Sequence, residues 1–202
     1  MPKLTSIYGT GDSATQILLR KLKPEGKWLI LAAGDGRYVL SISKTASRIV
    51  ATDIDPTELA KLKLQIPSPK IKTKKQDLTR RFPFSKQTFD GVLCTGTLHL
   101  FREKTLQRIL QETLRVLKPG GHYVFDFAMD IRRTREGKRI SYRKNEPNYT
   151  EHQARRLWKR LLKKTGHLIR TSSVRNQPVA DPKGEYRFSC HFLLISGKKD
   201  YK

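Results

Sequence analysis

The stretch LQRILQETLRVLKPGGHYVFDF, Leu106 to Phe127, reads as three pieces in a row. Leu106, Ile109, Leu110, Leu114 and Leu117 recur at helical spacing and give one helix an apolar face. Lys118-Pro119-Gly120-Gly121 then ends it, because proline cannot continue a helix and glycine accepts backbone angles that other residues avoid. His122 to Phe127 follows as a strand. The strand before the helix is Phe89 to Thr95, FDGVLCT, apolar on nearly every residue. Such near-continuous apolar runs belong to parallel strands covered on both faces.

The same rhythm runs outward in both directions. Lys27 to Ala33 and Ser47 to Asp53 are further buried strands, and Lys70 to Gln76 is a Lys-rich strand expected near an edge. Helices are expected over Ser13–Leu22, Tyr38–Lys44 and Glu58–Leu64. Thr150-Glu151-His152-Gln153 is a capping-box pattern, and Ala154, Leu157, Trp158, Leu161 and Leu162 give the helix it opens an apolar stripe. Leu168–Arg175 and Tyr186–Ser196 close the chain as strands, joined by the turn-rich NQPVADPKG, which suits an antiparallel pair. Strands alternating with helices over short connections predict a parallel α/β sheet, with one antiparallel strand added at the end. The 202 residues fit one domain, 1–202, with an N-terminal helical segment over 1–25. Met129 to Tyr149 breaks the rhythm: it is polar, basic and aperiodic, and reads as a basic loop insertion over 129–149.

Charge is the compositional outlier. Lys and Arg number 42 against 18 Asp and Glu, a formal net charge of +24. A polyanionic partner accounts for such an excess, nucleic acid first and an anionic membrane surface second. No apolar run approaches the ~20 residues of a membrane span, and the N-terminus has no apolar signal-peptide core, so a cytoplasmic protein is expected. Cys94 and Cys190 lie far apart without metal-ligand spacing; they read as buried reduced thiols, and no metal site is expected.

In open α/β sheets ligands bind beyond the carboxyl ends of the strands. Gly34 and Gly36 follow the first strand, where a missing Cβ lets backbone approach a ligand. Asp53 ends the second strand about twenty residues later, the spacing at which a carboxylate takes both ribose hydroxyls. Asp77 ends the third strand in KKQDLT, and Thr95, Gly96, Thr97 and His99 follow the fourth. Singly these are weak signals, and their shared placement is what gives them weight.

From about Leu22 to Ile195 the chain resembles the class I S-adenosylmethionine-dependent methyltransferases. LILAAGDGR resembles their first motif and IVATDID their second. KKQDLTRRFPFSKQTFDGVLCTGTLHLF and LQRILQETLRVLKPGGHYVFDF match their later segments most specifically. The resemblance implies an α/β, Rossmann-like fold with a seven-stranded, mostly parallel sheet, one antiparallel strand and helices on both faces. It implies S-adenosyl-L-methionine as cofactor. Gly34 and Gly36 would lie against its methionine and ribose parts, and Asp53 would bind the ribose hydroxyls. Asp77 would accept from the adenine amine, Leu78 N–H would meet a ring nitrogen, and Thr95 would line the methionine end. Ala32, Asp35 and Ile54 complete the expected cofactor set. The chain departs from the family at Ile30 and Ala32, where an acidic residue and an extra glycine are usual. Asp35 is the expected replacement for the carboxylate lost at Ile30. His99 is the candidate catalytic base, since a neutral imidazole beside the acceptor could assist deprotonation.

The acceptor site of this fold draws on the segment after the fifth strand, which here is basic. Arg132, Arg133, Arg135, Lys138, Arg139, Arg143 and Lys144 crowd one stretch with Tyr142 and Tyr149 among them. Arg155, Arg156 and Lys159 follow on the capped helix. Cations interleaved with aromatics can track phosphates and stack on unpaired bases, so RNA is the expected acceptor. A small molecule or a protein is the alternative acceptor, and a degenerate RNA-binding module is the alternative to an enzyme. A protein partner is compatible with the same surface, and oligomeric state is left open.

Overall fold

The computed structural model describes residues 13–141, 146–163, 173–175, 179–180 and 186–200. Its elements are α1 Ser13–Leu22, β1 Lys27–Leu31, α2 Val39–Ser43, β2 Arg48–Asp53, α3 Pro56–Gln65, β3 Ile71–Lys75 and β4 Phe89–Cys94, followed by a 3₁₀ turn at Leu98–Leu100. Then come α4 Glu103–Val116, β5 Leu117–Arg135, β6 Lys138–Ile140, α5 Glu151–Lys163, β7 Ser173–Arg175, β8 Val179–Ala180 and β9 Arg187–Lys198. The main sheet runs β3-β2-β1-β4-β5-β9-β7. β1 through β5 pair in parallel, whereas β9 is antiparallel to both β5 and β7, so seven strands carry one reversed member. The short β6 and β8 attach to β5 and β9. Strand order reverses between β1 and β4, which opens a crevice at their carboxyl ends.

Alternation along each strand sorts the core into two layers, because successive side chains point to opposite faces. Leu29, Leu31, Val92, Cys94, Phe125 and Phe127 face α4 and α5, where Leu106, Ile109, Leu110, Leu157 and Trp158 meet them. Trp158 packs its ring on Phe125 and Phe127 at centroid distances of 6.0 and 5.7 Å. Trp28, Ile30, Ile49, Ala51, Leu93 and Val124 face the other way, onto Leu19 of α1, Val39 and Ile42 of α2 and Leu62 of α3. Gly91 is fixed by this second layer, since a Cβ there would overlap the Trp28 ring. α3 starts where Asp55 accepts from Thr57 N at 2.8 Å and Pro56 takes the first helical position. The Lys-Pro-Gly-Gly turn folds into the head of β5, where Lys118 reaches Asp90 at 2.8 Å and Gly120 N–H donates to the Lys199 carbonyl.

One sequence expectation changes, and another falls partly outside the described residues. The stretch 129–149 is not a loop throughout: β5 continues to Arg135, turns at Glu136-Gly137 in left-handed φ (51° and 76°) and returns as β6. Its period was hidden by a bulge. Asp130 takes φ 50° and the register with β9 shifts between Met129 and Arg132, so inward and outward positions exchange partway along the strand. Of the expected strand Leu168–Arg175, only Ser173–Arg175 lies among the described residues, as β7.

Candidate active site

The loop leaving β1 is stitched to the end of β2. Ala33 N–H donates to the Thr52 carbonyl at 2.8 Å, and Gly34 N–H donates to Asp53 Oδ2 at 2.9 Å. Asp53 Oδ1 accepts from Asp55 N at 3.0 Å, so one half-buried carboxylate ties the β1 loop to the start of α3. Ala32, Gly34 and Gly36 all take positive φ, 48°, 53° and 101°. Ala32 therefore keeps the turn at a strain that glycine would avoid. Gly36 is needed for another reason: a Cβ there would press on Leu62 and Ile66 of α3 at 3.1 and 3.2 Å.

Around that knot the expected cofactor residues divide. Ile54, just past Asp53, is 60% exposed and offers an apolar face beside the carboxylate. Asp77 Oδ1 accepts from Thr79 N at 2.7 Å, and the Thr79 side chain first, then this backbone bond and the Arg80 charge, hold its carboxyl below the usual carboxylate range. Leu78 has a buried side chain behind it. Thr95 is half-buried, and Thr97 Oγ1 donates to its carbonyl at 3.3 Å. Gly96 between them takes φ 68°, and a Cβ built on it would meet nothing within 4 Å. The carboxyl end of β4 therefore faces open space. Asp35 is fully buried, and Lys61 of α3 is among the groups that feel its charge. The arrangement has room and chemistry for a nucleoside-bearing cofactor, with a half-buried carboxylate and an exposed apolar neighbour at the end of β2 and an open glycine after β4, on either side of β1.

Two residues of this end escape the sequence reading. Asp126 on β5 is 3% exposed, and its Oδ1 accepts from Gly96 N at 2.6 Å. It pairs in register with Leu194 of the Ile30 layer, so β5 brings a buried carboxylate to that side of the sheet where β1 carries Ile30. Burial first, then Asp126 and Asp53, push the Cys94 thiol well up, which keeps it an inert buried thiol. Gln76 donates its N–H to the Asp53 carbonyl at 2.8 Å, while neither end of its buried side-chain amide has a partner. The signal for both was a polar residue inside or directly after an apolar or edge strand.

His99 sits in the 3₁₀ turn, 8% exposed, with Nδ1 unpartnered. Burial, then the Arg133 charge, lower its pKa to about 4. It is neutral near pH 7 and a weak base there.

The expected nucleic-acid residues also divide. Arg132, Arg135, Lys138 and Arg139 are exposed on the β5–β6 hairpin, and Arg156 and Lys159 on α5. Arg133 is not on that surface. It forms a two-pronged pair with Glu146 at 3.0 Å on each arm, with side chains 12% and 6% exposed. Arg155 is held by Glu151 at 2.7 Å. Arg143 and Lys144 lie outside the described residues. The bulge brings Asp130, Glu151 and His191 together, with His191 Nδ1 3.7 and 3.5 Å from the two carboxylates. These are residue types that can bind a metal, a grouping sequence spacing gave no sign of. Glu151 N–H also donates to Asp130 at 3.1 Å, so the cluster clasps α5 to β5.

Comparison with known proteins agrees with the geometry. Residues 29–125 match the family described as methyltransferase domain. An uncharacterized methyltransferase of Synechocystis is 32% identical over 100 residues, 50% of this chain, and the chain spans 46% of that protein's length. An S-adenosylmethionine-dependent methyltransferase from Mesorhizobium loti superposes with TM-score 0.63 at 16% identity, over 95% of this chain and 100% of the other. DhpI, solved as a complex with SAH, gives TM-score 0.60 at 17% identity, over 95% and 86%. Among the described residues no helix is long and apolar enough to cross a membrane.

Proposed function

We propose that the chain moves a methyl group from S-adenosyl-L-methionine to RNA, in the cytoplasm, a reading supported by the match of residues 29–125 to the methyltransferase domain family and by the fold shared with solved methyltransferases. The observation that carries the cofactor half is the Asp53 carboxylate at the end of β2, locked to Asp55 N–H and to Gly34 N–H of the loop that leaves β1 at the switch point of the sheet. Asp53 would take the ribose hydroxyls, with Ile54, Asp77 and Leu78 around the adenine and Thr95 and Gly96 toward the methionine end. The sulfonium of the bound cofactor supplies an already activated methyl group.

What this chain adds is position. Asp126 fixes Gly96 N–H and with it the turn after β4, so the floor beneath the reacting atoms is set before the acceptor arrives. A base of pKa about 4 takes a proton poorly at neutral pH, so proton removal is not assigned to His99. The acceptor half of the reading rests on charge. The formal charge of +24 and the exposed cations of the hairpin and α5 favour a polyanion over a small neutral substrate.

The test is transfer of labelled methyl groups from S-adenosylmethionine to total RNA, total protein and small metabolites. Label in the RNA fraction that RNase releases is the expected result. Label confined to protein or metabolites would remove RNA as the acceptor, and no calorimetric heat with S-adenosylmethionine would remove the enzyme reading itself.

A further inference from the structure

The segment before α5 is held unusually firmly for a connection. Asn148 makes two bonds to the Ile131 backbone, at 3.0 and 2.9 Å. Tyr149 donates its hydroxyl to the Phe101 carbonyl at 3.1 Å and lays its ring on Phe127, centroids 5.2 Å apart. Thr150 and Gln153 close a reciprocal cap, N–H to side chain in both directions, at 2.9 and 3.3 Å. Between this segment, the start of α4 and the outer side of α5 lies a cavity of about 380 Å³. Pro147, Tyr149 and Leu157 give it an apolar floor, and His152, Arg156 and Arg160 stand around it.

Charge decides what such a cavity can take. Glu103 is the carboxylate among its lining residues, and Arg160 engages it with two bonds at 2.8 and 2.7 Å. That pair is self-neutralising. Arg156 is exposed, and among the described residues no carboxylate pairs with it. Among the described residues the opening therefore keeps the Arg156 guanidinium uncompensated above an apolar floor. A flat apolar surface with a cation at its edge suits a nucleobase carrying its own phosphate, the base on the floor and the phosphate on the guanidinium. The volume sits near the lower end of the ~300–1,000 Å³ range of small-ligand pockets, which matches one nucleotide rather than a larger group. Its place matches too. Glu103 opens the helix that follows β4, and Glu151 N–H of the first α5 turn is bonded to Asp130 of β5, which lies past Phe125, the last residue of β5 paired with β4.

We propose that this cavity is a nucleotide subsite for single-stranded RNA. It holds one nucleotide flanking the methylated one, with its base against Pro147 and Tyr149 and its phosphate on Arg156. The subsite rests on the RNA-acceptor reading.

The test is anisotropy titration of a labelled single-stranded RNA of roughly ten nucleotides, at several salt concentrations, with wild type, Arg156→Gln and Arg156→Lys. Ultraviolet cross-linking and peptide mapping of the wild-type complex run alongside. Arg156 is exposed, so both variants should keep the fold. The expected result is a five- to tenfold loss in Arg156→Gln at about 0.1 M salt, a salt slope shallower by about one phosphate, and recovery of the slope in Arg156→Lys. The cross-link should fall on the peptide containing Tyr149. If wild type binds RNA steeply with salt while Arg156→Gln binds equally well and cross-links map elsewhere, the subsite is overturned and the acceptor reading stands. Wild type that binds no RNA at low salt overturns both.

Discussion

At the carboxyl ends of β1 and β2 the working groups are backbone N–H donors and carboxylates tied to one another. On the β5–β6 hairpin and α5 they are long cationic side chains standing in solvent. Asp53 is bonded on both oxygens and Asp126 holds Gly96, so the first region is preorganised by short-range geometry. Arg132, Arg135, Lys138 and Arg139 act in the second through summed charge, which tolerates loose geometry but not salt. One region should therefore respond to single atoms and the other to charge count.

Arg133 and Glu146 offer the hardest way to break that division, since sequence alone assigns Arg133 to the cationic surface. Their pair is nearly buried, so Glu146→Ala takes a two-pronged carboxylate away from a guanidinium largely shielded from solvent. Chemical denaturation should show a loss of about 3–5 kcal/mol. The salt slope of RNA binding should stay where it was; a shallower slope would return Arg133 to the RNA surface. Asp53→Ala comes next. Losing two charge-assisted bonds and the ribose carboxylate should weaken S-adenosylmethionine binding about 100-fold by calorimetry while leaving RNA affinity alone. Equal loss of both would mean that the two regions are not separable.

Replacing Arg132, Arg135, Lys138 and Arg139 together by Gln tests the other side. RNA affinity at low salt should fall about 30-fold, and the salt slope should flatten by roughly two to three, with cofactor affinity unchanged. An unaltered slope would show that the hairpin does not meet phosphate.

How much of this could be read from the sequence follows the same division. β1, β2 and β4 are apolar runs that lead within three residues to a Gly, an Asp or a Thr-Gly, so both their burial and the groups at their carboxyl ends are local in the sequence. Asp53 and the turn at Ala32 and Gly34 were legible for that reason. The hairpin was not, because the bulge at Asp130 reverses the alternation a strand is recognised by. Arg133 looked like its neighbours because its partner is thirteen residues away, beyond any helical or strand spacing. The burial of Asp35 was not legible either, because it follows from the packing of this turn against Leu62 and Ile66 through Gly36. Burial of a single polar side chain is a property of the assembled layers, and Asp126 and Gln76 were hidden by the same fact.

His99 gives the smallest effect and the most discriminating one, since it follows β4 and feels Arg133, the cation that the structure withdraws from the exposed surface. Its pKa is lowered to about 4 by burial and by Arg133, against 6.5 when exposed. Between those values the unfolded chain binds a proton that the folded chain refuses, so stability is intact above about pH 6.5 and is lost as pH falls toward 4. From pH 7 to pH 5 the loss should be between about 1 and 2 kcal/mol, measured by denaturation at each pH. His99→Phe removes the titrating group while filling the same apolar site, and Nδ1 has no partner to lose. Its stability should be flatter over that interval than wild type, even though carboxylates such as Asp77 and Glu112, held low by their bonds, still titrate in both proteins at lower pH. Methyl transfer that persists in His99→Phe with an unchanged pH profile above pH 6 would place the residue in the fold rather than in proton transfer. A lost alkaline-side plateau, with cofactor binding intact, would instead make it a base, and the argument from its burial would be wrong.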